Sequence, residues 1–191
     1  MRTEDLRYLQ LLDRLRYGQC NYDDYELLQT RAVGQPSIES LHDSPWNKAP
    51  ILVFRNEIRT QINNKAAIHN ATQIGHPLMI RNEKKSNQKT ILSIKRTALP
   101  LVPAYCITTH KSQGQTLSKV VIDLKLPNET DDIAAVYVPL SRVKRLVDLA
   151  IIRPFDNKVL LMKPSKSQVT EMERLDQLFL NTRSRFPEWF Q

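Results

Sequence analysis

From Thr108 to Thr116 the chain reads Thr-Thr-His-Lys-Ser-Gln-Gly-Gln-Thr, and an apolar run, Lys119 to Leu124, follows almost at once. Hydroxyls, an imidazole, an ammonium and an amide crowd in front of one glycine, so the stretch offers donors and positive charge to a polar or anionic ligand. Polar side chains beside a buried strand are how open α/β sheets build sites at strand ends. Gly114 is one of four glycines in 191 residues and suits a positive φ or a close backbone approach. The same residues also read as a polar helix end capped by Gly114 that leads into a core strand.

The elements that must position this stretch follow from periodicity and caps. Residues 4–17 predict a helix with Leu6, Leu9, Leu12 and Leu15 as its apolar stripe. Thr3 is its cap, Glu4 and Asp5 its acidic first turn, and Gly18 its stop. Asn21 caps a second helix through Thr30, and Pro36, Pro45 and Pro50 mark 34–50 as a loop. Pro50–Phe54 reads as a buried strand, and Arg55–Ala71 as a helix with Ile58, Ile62, Ala66 and His69 on one face, His69 as a core or boundary residue. Arg81–Arg96 holds six basic residues and one acidic residue, which fits either phosphate contact or a solvated hairpin. The apolar spacing of Ala104–Gln113 predicts a helix. Lys119–Leu124 and Leu149–Ile152 predict strands, with Val159–Met162 as a last edge strand. Asp123 ends a Val-Val-Ile-Asp run but Leu124 follows it, so it reads as structural. A helix begins near Ile133, capped from Thr130–Asp132, and Pro139 limits it. Ser165 and Gln168 form a capping box for a final helix bearing Val169, Met172, Leu175, Leu178 and Phe179. Phe186, Trp189 and Phe190 either dock on the body or form an exposed tail.

Net charge is +8. The first thirty residues carry four basic and six acidic groups, so the remainder holds +10, an asymmetry that favours a polyanionic partner. Cys20 and Cys106 sit in no metal or redox spacing, which suits a reducing compartment. No apolar run reaches the length of a membrane helix, and the N-terminus shows no signal-peptide pattern.

Thr108–Thr116 resembles motif V of superfamily 1 helicases of the Pif/RecD type, and Val136–Leu146 (Val-Tyr-Val-Pro-Leu-Ser-Arg-Val-Lys-Arg-Leu) resembles their motif VI, in the same order. The likeness is strongest from Ile94 to Phe155 and is nearest to the helicase-like proteins of fungal transposable elements. The strand–turn–helix at 50–71 resembles motif IV, with Asn56 and Asn63 at its recurring asparagines. The resemblance implies an α/β fold: a RecA-like (P-loop NTPase-type) parallel sheet with helices on both faces and extra terminal helices. It divides the chain into a helical hairpin (1–33), a second RecA-like helicase domain (34–163) and a C-terminal helix with an aromatic tail (164–191). The short basic segment 75–99 stands where the family carries an SH3-like subdomain.

The implied function is the C-terminal half of an ATP-dependent 5′→3′ DNA helicase, coupling ATP hydrolysis to translocation on single-stranded DNA and to duplex unwinding. Arg142 matches the arginine finger. Gln113, Gly114, Arg55 and Asn56 fall to the nucleotide cleft. Thr108, Thr109, His110, Lys111, Ser112, Lys84 and Lys85 fall to DNA. The implied cofactors are ATP and Mg2+, held mainly by a first RecA-like motor domain supplied in cis or in trans. The implied partner is single-stranded or forked DNA, with no membrane and no resident metal site, and the family implies a nuclear location. Gly18, Gly34 and Gly114 are each followed by Gln and Gly75 by His, so no Gly-Lys-Ser/Thr phosphate loop occurs in these residues. The alternative is a non-catalytic nucleic-acid-binding or regulatory remnant of such a helicase.

Overall fold

The computed structural model describes residues 4–38, 40–73, 104–127, 130 and 132–190. The basic segment 75–99, with Lys84 and Lys85, and the cap expected at Thr3 lie outside the described residues.

Four short strands form one wholly parallel sheet in the order β2-β1-β3-β4. They are β1 (Ile51–Val53), β2 (Cys106–Thr108), β3 (Val120–Ile122) and β4 (Leu149–Ile151). Parallel strands need crossovers and are covered on both faces, and the sequence supplies both covers. Leu52, Val120, Ile122, Leu149 and Ile151 pack into the main core with Tyr8, Leu11, Leu12, Leu15 and Leu28. Those five belong to α1 (Leu6–Arg16) and α2 (Tyr22–Gln29), joined on this face by α4 (Ala134–Leu140). The alternate residues Ile51, Val121 and Ala150 turn the other way, toward Ile38, Leu41 and Trp46. Ile62 and Ala66 of α3 (Asn56–Gln73) line a groove with Ile51 and Val121 on that second face.

Most expected elements form, with instructive shifts. Asp5, read as a first-turn acid, is the cap of α1: its carboxylate accepts from the Tyr8 amide. Gly18 takes φ +64° and its amide donates to the Leu15 carbonyl, ending the helix. Asn21 and Asp24 form a capping box on α2, and Arg14 pairs with the buried Asp24. Tyr8 donates its hydroxyl to the Leu140 carbonyl, tying α1 to the end of α4.

Two readings are corrected and a third is narrowed. Ala104–Gln113 is not a helix: Cys106–Thr108 is β2 and Thr109–Ser112 a 3-10 turn. A three-residue strand is too short to show its own period, and the apolar residues around it imitate helical spacing. Val159–Met162 is not a strand; Asn157–Val159 is a 3-10 turn and the chain runs on without a ladder. His69 is exposed and so is not a core residue, but it lies at the boundary, lining the same groove as Ile62 and Ala66.

Among the described residues both sheet edges are partly covered. Beyond β2, the Asn63 side-chain amide accepts from the Cys106 N–H and donates to its carbonyl, each at 2.8 Å. Beyond β4, the Ile151 amide donates to the Arg31 carbonyl and the Val33 amide to the Ile151 carbonyl. α5 (Lys166–Arg185) follows with its Ser165–Gln168 capping box formed, but none of its residues is buried. Of the two fates open to the tail, the structure shows the exposed one: Phe186 stacks on Trp189 and Phe190 sits edge-on to Phe179, while Trp189 stays 71% exposed.

Candidate functional site

Thr108 ends β2, and the 3-10 turn Thr109–Ser112 swings the chain across the end of the sheet before it returns to β3. The buried members of this stretch hold its shape. The Thr109 hydroxyl reaches the Val53 carbonyl at 3.4 Å and the Ser112 hydroxyl donates to the Thr109 carbonyl at 2.7 Å. Thr108, Thr109 and Ser112 are all buried, whereas His110, Lys111, Gln113 and Gly114 are exposed. The stretch therefore offers solvent its imidazole, ammonium and amide, while three hydroxyl-bearing residues face inward. Gly114 has φ +81° with open space around it, so backbone conformation and not crowding selects glycine. Arg55 and Asn56 are exposed where β1 gives way to α3.

Arg142 follows α4 and lies against this same stretch. Its Nη1 donates to the carbonyls of Ser112 and Gln115, each at 3.2 Å, its Nε to Val138 at 2.9 Å and its Nη2 to the Ser141 hydroxyl at 2.6 Å. The Leu117 amide donates back to the Arg142 carbonyl at 2.7 Å. A guanidinium has five N–H donors in a fixed fork, so among the described residues four are engaged and one Nη2 hydrogen remains. Burial lowers the Arg142 pKa, with Tyr137 opposing, and the group stays a cation. The structure thus brings Arg142, Gln113 and Gly114 into one corner and puts Arg55, Asn56, His110 and Lys111 at the ends of the neighbouring strands β1 and β2.

Two participants were not singled out from the sequence. Ser141 is a hydrogen-bond partner of the guanidinium, and its place beside Arg142 was the available signal. Phe54 lies 6.2 Å from His110 between ring centroids, a contact across two strands that no local spacing reveals. Asp123 is structural, as read: it pairs with Arg153 across the ends of β3 and β4. Lys144 and Arg145 pair with Glu4 and Asp148. Among the described residues no cluster of His, Cys, Asp and Glu could hold a metal ion, and no helix is long and apolar enough to cross a membrane.

No protein-family model matches the chain. Sequence relatives do. The ATP-dependent DNA helicase PIF1 of Candida albicans is 41% identical over 66 residues, 35% of this chain and 7% of the relative. That of Saccharomyces cerevisiae is 46% identical over 56 residues, 29% of this chain and 6% of the relative. The aligned stretches thus span under a tenth of the length of these curated relatives. Among solved structures, Pif1 helicase from Candida albicans superposes with a TM-score of 0.60 at 15% identity, over 93% of this chain and 59% of that one. Pif1 from Bacteroides, in complex with ADP-AlF3 and single-stranded DNA, gives 0.58 at 16% identity, over 93% and 55%. Over about a third of its length the chain is thus similar in sequence to Pif1 DNA helicases, and it carries the RecA-like fold of their solved structures.

Proposed function

We propose that the chain is the second motor half of an ATP-dependent 5′→3′ DNA helicase, acting with a first RecA-like domain that supplies the phosphate loop and the acids for Mg2+. The observation that carries this reading is the bond from Arg142 to the Ser112 and Gln115 carbonyls. It ties the residue matching the arginine finger to the loop bearing His110 and Lys111. ATP and Mg2+ fit this corner as a contact and not as a cradle: one donor remains on Arg142 and the Gln113–Gly114 turn is exposed beside it. When bound, the nucleotide supplies the phosphoryl group whose hydrolysis drives movement. Arg142 then places positive charge where negative charge grows, an interaction that strengthens in the transition state. His110 and Lys111, with Lys84 and Lys85, are assigned to single-stranded or forked DNA. Arg55, which the resemblance gives to the nucleotide cleft, is reassigned to this group because it is exposed next to Phe54, whose ring meets His110. The buried Thr108, Thr109 and Ser112 hold the loop that presents His110 and Lys111.

The test is steady-state ATP hydrolysis, with and without single-stranded DNA, for the chain alone and joined to a first motor domain. The chain alone should be inactive. In the joined motor, Arg142→Ala should slow hydrolysis by about 10³-fold or more while ATP affinity changes less. Robust hydrolysis by the chain alone, or indifference to Arg142→Ala in the joined motor, would refute the proposal. DNA binding by the chain alone should be weak and should fall steeply with salt, and replacing Lys84, Lys85 and Lys111 with Ala should flatten that dependence.

A second reading, a non-catalytic nucleic-acid-binding remnant, draws on the same guanidinium, most of whose donors are engaged within its own domain. It expects Arg142→Ala to lower the melting temperature and leave hydrolysis by the joined motor unchanged.

A further inference from the structure

Phe54 follows β1 and His110 follows close behind β2, so two adjacent parallel strands deliver both rings to one end of the sheet. The ring planes tilt by 49° at a centroid separation of 6.2 Å. Phe54 is half-buried and His110 is exposed, so the phenyl ring backs the imidazole while the imidazole meets solvent. Its neighbour is thus an apolar ring and not a carboxylate, which supports contact through the ring face. Arg55 and Lys111, each the next residue along, are also exposed, and neither enters an ion pair among the described residues. Proteins that hold single strands combine these two features: cations track the phosphates and aromatic faces take the bases.

We propose that Phe54 is a positioning residue that holds the His110 ring as a stacking platform for one base of single-stranded DNA, while Arg55 and Lys111 neutralise phosphates beside it. This rests on the DNA-binding reading above and adds a base contact to it. The base contact and the phosphate contacts separate experimentally, because stacking needs a base and neutralisation needs only the backbone.

The experiment measures fluorescence anisotropy of a labelled oligothymidylate, and of the same oligomer with its central bases removed, against the whole 191-residue chain over a range of salt. The parent should prefer the intact oligomer about tenfold, the scale of one stacked base. Phe54→Leu, which keeps bulk but loses the ring, and His110→Ala should each bring that preference close to unity and leave the salt slope unchanged. Phe54→Tyr should restore it. Lys111→Ala should do the reverse, lowering the slope and keeping the preference. If Phe54→Leu lowers the melting temperature, His110→Ala and Phe54→Tyr carry the test, since neither removes a buried side chain. Equal affinity of the parent for both oligomers, or an undiminished preference in Phe54→Leu, overturns the stacking inference alone. No affinity of the parent for either oligomer overturns the DNA-binding reading and this inference with it.

Discussion

The two ends of the sheet treat charge in opposite ways. At the N-terminal ends of β3 and β4, Asp148 is 5% exposed and receives Lys119 at 2.9 Å and Arg145 at 2.8 and 3.1 Å. Arg31 donates to the Leu149 and Val147 carbonyls beside it, and the Trp46 ring lies under both Lys119 and Arg31. Four charged groups and an indole there satisfy one another. At the C-terminal ends, Asp123 and Arg153 close the β3–β4 half, but the β1–β2 half presents Arg55, His110 and Lys111 to solvent. Residues of the same kind serve architecture at one end and are left exposed at the other. A net charge of +8 therefore says little until each cation has been matched with its partner.

The comparison breaks most readily at the closed end. Asp148→Ala leaves Lys119 and Arg145 without their acceptor and should cost about 2 kcal/mol of stability, the scale of hydrogen bonds to a charged group, read from urea or guanidinium midpoints. The same carboxylate sets a pH dependence. Burial alone raises its pKa, but the hydrogen bonds from Arg145 and Lys119 outweigh that and hold it below the ordinary aspartate value. Its stabilisation is then complete above the unfolded-state pKa and is lost as pH falls through the lower folded-state value. Midpoints followed from neutral to strongly acidic pH should fall more steeply for the parent than for Asp148→Asn.

Asp123→Ala, at the half-closed corner, should cost less, about 1 kcal/mol, because its partner Arg153 is 44% exposed in its side chain. The open end should barely register: Arg55→Ala and Lys111→Ala should each leave stability within about 0.5 kcal/mol of the parent. Each should nevertheless lower the salt slope of DNA binding by about one. A large loss of stability from either, with the slope unmoved, would erase the distinction between the two ends.

The strands β1, β3 and β4 were legible because each is a short apolar run bounded by turn residues, and helices α1, α2 and α5 because their periods and caps are local. The edge strand β2 was not. Its partners are Val53 and its neighbours on one side and the Asn63 amide on the other, and both lie far away along the chain. The corner around Arg142 was half legible: the two motifs named the residues, but nothing in their spacing announced that the guanidinium grips the Ser112 and Gln115 carbonyls. Phe54 stayed hidden for the same reason as β2, since its contact with His110 exists only once the strands pair. The tail stayed open because Phe186, Trp189 and Phe190 are as apolar as any docking segment, and only the structure shows Phe186 stacking on Trp189 and Phe190 meeting Phe179.

The Asn63 amide at one margin of the sheet and residues 31–33 at the other have a consequence for how copies of the chain meet. A bare parallel edge is a row of unpaired N–H and C=O groups on which a foreign strand can crystallise, the usual seed of swapped dimers and fibrils. Here the Cys106 N–H and carbonyl are satisfied by a side chain, which no incoming strand can extend, and Ile151 is already bonded to its own chain on its outer side. With strands of three residues, and with the outer groups of Cys106 and Ile151 already bonded, the described margins offer little template, and concentrated solutions of the chain should not grow β-rich aggregates from its native state.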